Sequence, residues 1–135
     1  MNREIKFRAW DRKFNRIFDV VEIIYEYTFV LVWRNPFKDE HINWIGSGLI
    51  AGEECDLMQY IGLKDINGVE VYEGDVLHLR GHQTFVVTFS DASFVARSTN
   101  KVQRINWTPS IMSRIIEMGY KVIGNIYENP ELMNL

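Results

Sequence analysis

The stretch Leu57–Leu77, LMQYIGLKDINGVEVYEGDVL, carries two tight-turn signals between short apolar runs, and this excludes a long helix there. Asn67-Gly68 supplies the positive φ that a type I′ hairpin turn needs. At Glu73-Gly74-Asp75, glycine tolerates a backbone angle that a side chain penalises, and Asp75 is placed to accept hydrogen bonds from the turn backbone. Short apolar runs joined this closely pair as antiparallel strands, so the chain is expected to be mainly β.

The pattern before this stretch agrees. Ile5, Phe7 and Ala9 alternate with Lys6, Arg8 and Trp10; Asp11–Arg16 is polar, and Ile17–Val21 returns, so a hairpin is expected. Glu22–Trp33, EIIYEYTFVLVW, reads as one long apolar run. Its second half, Thr28–Trp33, is apolar on both faces, which suits a strand that is central, covered, or part of a subunit interface. Pro36 ends that run. Residues 35–56 carry Gly46, Gly48 and Gly52 and read as a long loop with a short strand at His41–Ile45.

After Leu77 the turn signals continue at Gly81-His82 and Ser90–Ser93, and the runs between them read as strands. Thr108-Pro109 opens one helix and Gly119 lies just past its end, so a helix is expected over about 109–118. Its stripe is read as Ile111, Ile115 and Met118, with Met112 and Ile116 beside it. Lys121–Tyr127 is a last strand, with Gly124 a bulge or a close approach. Roughly seven to nine short strands with one helix is the count of a small barrel. The expected organisation is residues 1–56 as hairpin, apolar strand and loop, and 57–135 as barrel.

Composition sets the function classes. The 135 residues carry 47% apolar and 24% charged side chains with a net charge of -3, which argues against non-specific attachment to nucleic acid or an anionic membrane. The charge is unevenly spread. Residues 1–18 hold six bases and two acids, whereas 52–75 hold seven acids and Lys64. Two solvated faces or contact between neighbouring copies both account for this. Cys55 is the sole cysteine, so no internal disulfide forms, which fits a reducing interior. The N-terminus lacks the apolar segment of a signal peptide, and the longest apolar stretch is interrupted by Glu22 and Glu26. A soluble cytoplasmic chain is expected.

Chemistry-bearing motifs are absent: there is no phosphate-binding glycine loop, no nucleophile elbow and no zinc-protease pair of histidines. His78 and His82 sit four apart, and with Cys55 would make a three-ligand metal site; hydrogen-bonded histidines are the favoured reading. Asp65, Glu70, Glu73 and Asp75 crowd together as paired catalytic carboxylates would, but each already has a turn or surface role. No catalytic residue, metal or cofactor is expected. Arg97, Lys101 and Arg104 with Trp107 form a candidate nucleic-acid or partner surface, Arg114 nearby. Lys6, Arg8, Arg12, Lys13 and Arg16 with Trp10 form another basic patch. Phe29, Leu31 and Trp33 are the candidate self-association strand.

Three stretches carry a family resemblance: FRAWD at Phe7–Asp11, the Leu57–Leu77 stretch, and VIGNIYENPELM at Val122–Met133. They resemble the YopX family of phage and prophage proteins. The resemblance implies a mostly β fold whose second half is an SH3-type barrel, and a phage or prophage gene expressed in a bacterial cell. It implies no established activity and no catalytic residues. The chain departs from the family pattern at Ser90-Asp91-Ala92-Ser93, where relatives tend to have Asp-Gly, and at Ile61, where they often have Thr. The expected function is a non-enzymatic interaction module that self-associates and binds a host or phage protein; the alternative is a nucleic-acid-binding small barrel.

Overall fold

A computed structural model describes residues 3–24, 26, 29–34, 45–100 and 105–134; for 21, 29–34, 45–48 and 50 it describes the backbone alone. The chain divides into two compact units. One is Lys6–Gln59, here the N-terminal unit. The other is Tyr60–Leu135 with Met1–Ile5, here the C-terminal unit. The fold is mainly β, with two sheets, one of them curled into a half-barrel, and one short α-helix.

In the N-terminal unit, β1 (Phe7–Asp11), β2 (Arg16–Ile24), β3 (Phe29–Arg34), β4 (Ile45–Ile50) and the first half of β5 (Cys55–Lys64) form a sheet ordered β4-β3-β2-β1-β5. The expected β1–β2 hairpin is present, with Ala9 opposite Phe18 and Asp11 opposite Arg16. Asp11 is fully buried, and its Oδ1 accepts from the backbone N–H of Lys13 (2.9 Å) and Phe14 (3.3 Å). Asn15 then takes the left-handed conformation that closes the turn. Ala9, Leu49 and Cys55 are the buried apolar centre, flanked by Phe18, Val20, Ala51 and Leu57.

Two readings change here. The long apolar run is a hairpin: β2 pairs antiparallel with β3, Ile24 opposite Phe29. A single extended strand over those residues would run to roughly 40 Å, well past the usual strand length of about 20 Å. The loop read at 35–56 contains β4, aligned with β3 from Phe29–Ile50 to Arg34–Ile45. Gly46 and Gly48 hid it by lowering strand propensity. The proposed strand at His41–Ile45 lies, apart from Ile45, outside the described residues.

In the C-terminal unit the second half of β5 pairs with β6 (Glu70–Tyr72). Then β7 (Asp75–His78), β8 (Phe85–Ser90), β9 (Ser93–Ser98), β10 (Asn106–Trp107) and β11 (Lys121–Asn125) form a sheet ordered β10-β9-β8-β7-β11. Between β10 and β11 lies α1 (Pro109–Glu117), opened by proline and followed by Met118 and Gly119. Val71, Leu77, Phe85, Val87, Ala96, Met112, Ile115, Ile116 and Tyr120 make the core. The helix boundaries match expectation, but its buried face does not: Met112, Ile115 and Ile116 are inside, while Ile111 and Met118 are exposed. The true stripe is the compact i, i+3, i+4 triplet. Met118 falls past the last helical turn, where the helical period no longer aims its side chain.

The turn at Asp65–Gly68 is also different in kind. Gly68 N–H donates to Asp65 O (3.0 Å), Asp65 N–H donates to Val69 O (2.8 Å), and Asn67 keeps a negative φ. This is a type I turn followed by Gly68 at φ 78°, the three-residue hairpin loop with a glycine bulge, rather than a two-residue type I′ loop. The type I′ turn occurs instead between β8 and β9, where Asp91 and Ala92 have φ of 51° and 63°. Gly124 is both a bulge and a close approach. The β7–β11 register shifts between Val122 and Gly124, and a Cβ there would lie 2.4 Å from Asn129 Oδ1 and 2.8 Å from Leu132 Cδ1.

Candidate interaction surfaces

The uneven charge of the sequence is partly consumed inside the N-terminal unit. Arg12 forms a forked pair with Asp56, Nε to Oδ2 at 3.1 Å and Nη2 to Oδ1 at 2.6 Å. Its Nη1 donates to the carbonyls of Gly52 (3.1 Å) and Glu53 (2.9 Å), and its backbone N–H to Glu54 O (3.2 Å). A planar guanidinium matches a carboxylate in this way, where an ammonium would not. One link between the basic start and the acidic middle is therefore intramolecular.

Two of the four acids that suggested catalysis, Asp65 and Asp75, are turn fittings. Asp75 is buried and its Oδ2 accepts from Tyr72 N–H at 2.8 Å. Asp65 is buried too, with Oδ1 accepting from Asn67 N–H (2.8 Å) and Val69 N–H (3.0 Å) and Oδ2 from Val122 N–H (3.1 Å). Cys55 is fully buried. Burial first, then the negative Asp56 and Asp11, push its pKa up, with Arg12 opposing, so the thiol stays protonated. His78 Nδ1 lies 3.0 Å from Thr84 Oγ1, and the His82 ring lies 6.4 Å from the Tyr120 ring. Among the described residues no group of three metal-binding side chains converges.

Of the predicted basic surface the structure describes Arg97 and Trp107. Arg97 sits exposed on β9, bonded to Asn106 Oδ1 (3.3 Å) and Ser90 Oγ (3.4 Å). Lys101 and Arg104 lie outside the described residues. Trp107 is a packing residue: it stacks on Phe85 at 3.4 Å between centroids and meets Tyr120 edge-on at 5.3 Å. With these two rings against it, the half-buried Trp107 anchors β10 to the core. Phe29, Leu31 and Trp33 lie in β3, which is paired on one side by β2 and on the other by β4. The strand is therefore interior to its sheet, and no second copy can pair with its backbone. The sheet ends at β4, which has no strand on its outer side among the described residues.

Another cluster was not legible as one. Strand direction brings the end of β7, the start of β8, the end of β9 and the start of β11 to one end of the sheet. There Thr99 donates to Thr84 O from its backbone N–H (3.0 Å) and its hydroxyl (3.2 Å). Ser98 Oγ donates to Gln83 Oε1 (2.9 Å), and Tyr120 OH to Gln83 O (3.2 Å). Burial raises the pKa of that phenol. Arg80, His82 and Lys121 are exposed around this network. Their grouping has one signal in the sequence: 78–84, 98–107 and 118–122 contain no acid. It means something only once strand order places those segments together.

A two-sheet, mainly β chain with one short helix thus carries its polar groups at turns and loop ends. The family model described as YopX protein matches residues 6–134, and the chain belongs to the YopX family. It is similar over almost its whole length to the crystal structure of protein EF1440 from Enterococcus faecalis. The two are 25% identical, with 98% of this chain and 99% of that one covered and a TM-score of 0.61. No curated protein matches the sequence. Among the described residues no helix is long and apolar enough to cross a membrane.

Proposed function

We propose that the chain is a phage or prophage accessory protein that acts in the bacterial cytoplasm by binding rather than by catalysis, and that it self-associates through the edge of its N-terminal sheet. The observation that carries this is β4. Among the described residues it ends the sheet, and Ile45–Ile50, IGSGLI, contains no charge and no proline. Sheet edges that must stay single are normally guarded by such residues. The β11 edge of the other sheet shows the contrast, since the Asp65 carboxylate occupies Val122 N–H. A second copy pairing antiparallel along β4 satisfies both edges by one two-fold operation.

A binding role is supported by how the reactive groups are used. Asp65 and Asp75 hold turns, Cys55 is a buried thiol, and His78 is bonded to Thr84. The order β10-β9-β8-β7-β11, with the helix entering before the last strand, supports an SH3-type reading of the half-barrel. Small barrels of that kind serve as binding modules for many unrelated partners. Light scattering at micromolar concentration tests the self-association. The wild-type chain is expected to run as a dimer and Ser47→Lys, which places a charge on the edge strand, as a monomer. A wild-type monomer refutes the reading.

A further inference from the structure

We propose that the loop end of the C-terminal unit, built from residues 78–84, 98–100 and 120–121, binds the phosphate backbone of single-stranded nucleic acid. The surface is fastened before any ligand arrives. Thr84 O takes two hydrogen bonds from Thr99, and Gln83 takes one from Ser98 and one from Tyr120. His82 N–H closes the loop onto Leu79 O at 3.0 Å, and Asn100 N–H donates to Ser98 Oγ at 3.1 Å. Lys121 stands directly opposite His78 across the β7–β11 pair. Loops tied down in this way lose little entropy on binding.

Charge gives the class of partner. Arg80 and Lys121 are exposed, with no acid in any of the three segments, in a chain whose net charge is -3. Asp65, which reaches Val122 N–H next to Lys121, is buried and accepts from three backbone N–H groups. An arginine fork and a lysine ammonium are the usual donors to phosphate oxygens. The exposed His82 ring beside them offers a π-face to an unpaired base. Two cations and one ring suit a single strand, whose unpaired bases are free to stack, whereas reading a duplex's sequence requires an element that enters a groove. This surface differs from the Arg97–Trp107 set, and it stands or falls independently of β4 pairing.

The test is fluorescence anisotropy of a labelled oligothymidylate with the full chain at about 50 mM salt, where phosphate contacts are strongest. Binding is expected, with a log–log salt slope of about -1.4, the value for two contacts to a single strand. The double variant Arg80→Glu, Lys121→Glu is expected to lower affinity at least about ten-fold, while Arg97→Glu changes it less than about two-fold, each cation counting as one contact. Both variants alter exposed side chains, and matching thermal melts confirm that they fold. Absence of binding overturns the inference, as does binding that the double variant leaves unchanged. Tighter binding to a hairpin duplex, or to vesicles of anionic phospholipid, overturns it as well.

Discussion

The two units fasten their chain reversals with different sets of bonds. In the N-terminal unit the β1–β2 turn holds a buried aspartate, Asp11, and carries an outer clamp as well. The exposed Arg12 reaches across to Asp56 and to two carbonyls of the Gly52–Glu54 turn. In the C-terminal unit the β5–β6 turn is held from inside, by a buried Asp65 that also reaches β11. The first arrangement depends on an ion pair in contact with water, which salt screens and which contributes modestly. The second leaves three half-buried N–H groups without their charged acceptor if it fails, and the loss of several bonds to a carboxylate at once is costly. Loss of Asp65 should thus be poorly tolerated, and loss of the Arg12 clamp better tolerated but sensitive to ionic strength.

The sharpest way to break this contrast is Asp65→Ala. It removes the acceptor of three N–H groups and is expected to cost about 3 kcal/mol in urea unfolding, with Asp65→Asn recovering part of the loss through its remaining carbonyl oxygen. A loss under about 1 kcal/mol would mean that Asp65 is no more important than a surface residue.

Arg12→Met is expected to cost about 1 kcal/mol at low salt and less at high salt. Cys55 reports this opening locally. Its raised pKa keeps the native thiol protonated above the ordinary 9.0, so alkylation at mildly alkaline pH proceeds through the opened unit. The Arg12→Met chain should be alkylated about five-fold faster, as about 1 kcal/mol of easier opening requires. The sign of the pH dependence follows. The unfolded chain loses the Cys55 proton first, so stability falls as pH rises through 9.0. An alkylation rate unaffected by Arg12→Met would show that the clamp does not hold the unit closed.

Much of the fold was legible, for local reasons. Pro109 and Gly119 bound α1, Gly124 marks a bulge, and Asp75 bonds its own turn as aspartate in such a turn does. The misses share one cause, that the deciding partner is distant in sequence. The packing of the half-buried Trp107 on Phe85 and Tyr120 shows only when β10 is laid beside β9. Arg12 looked like one base of a patch until Asp56 faced it. Arg80, His82 and Lys121 had no visible relation until antiparallel pairing put His78 opposite Lys121. The family motifs fall into the same picture. Phe7–Asp11 is β1, Leu57–Leu77 contains the Asp65 and Asp75 turns, and Val122–Met133 holds Gly124 and the Asn125 turn, where Asn125 Oδ1 accepts from Tyr127 and Glu128 N–H. They are the residues that make the reversals possible.

The smallest effect expected is a gain. Ala92 sits at φ 63° in the β8–β9 turn, a conformation that costs a residue with a Cβ about 1 kcal/mol and glycine far less. Ala92→Gly should raise stability by about 0.5–1 kcal/mol, read as a shift of a few degrees in Tm. No shift would mean that the turn is relaxed with alanine.

The bond from Val122 to Asp65 spans 57 positions of the chain. During synthesis from the N-terminus, Lys6–Gln59 can collapse as soon as it leaves the ribosome. The Asp65 turn cannot be completed, nor β7 given its outer neighbour, until β11 has emerged. For that interval the nascent protein carries an open sheet edge on β7 and a carboxylate waiting for its third donor. A ribosome pausing between Tyr72 and Lys121 would therefore expose a sticky, half-finished half-barrel, and any chain cut before β11 would remain in that state.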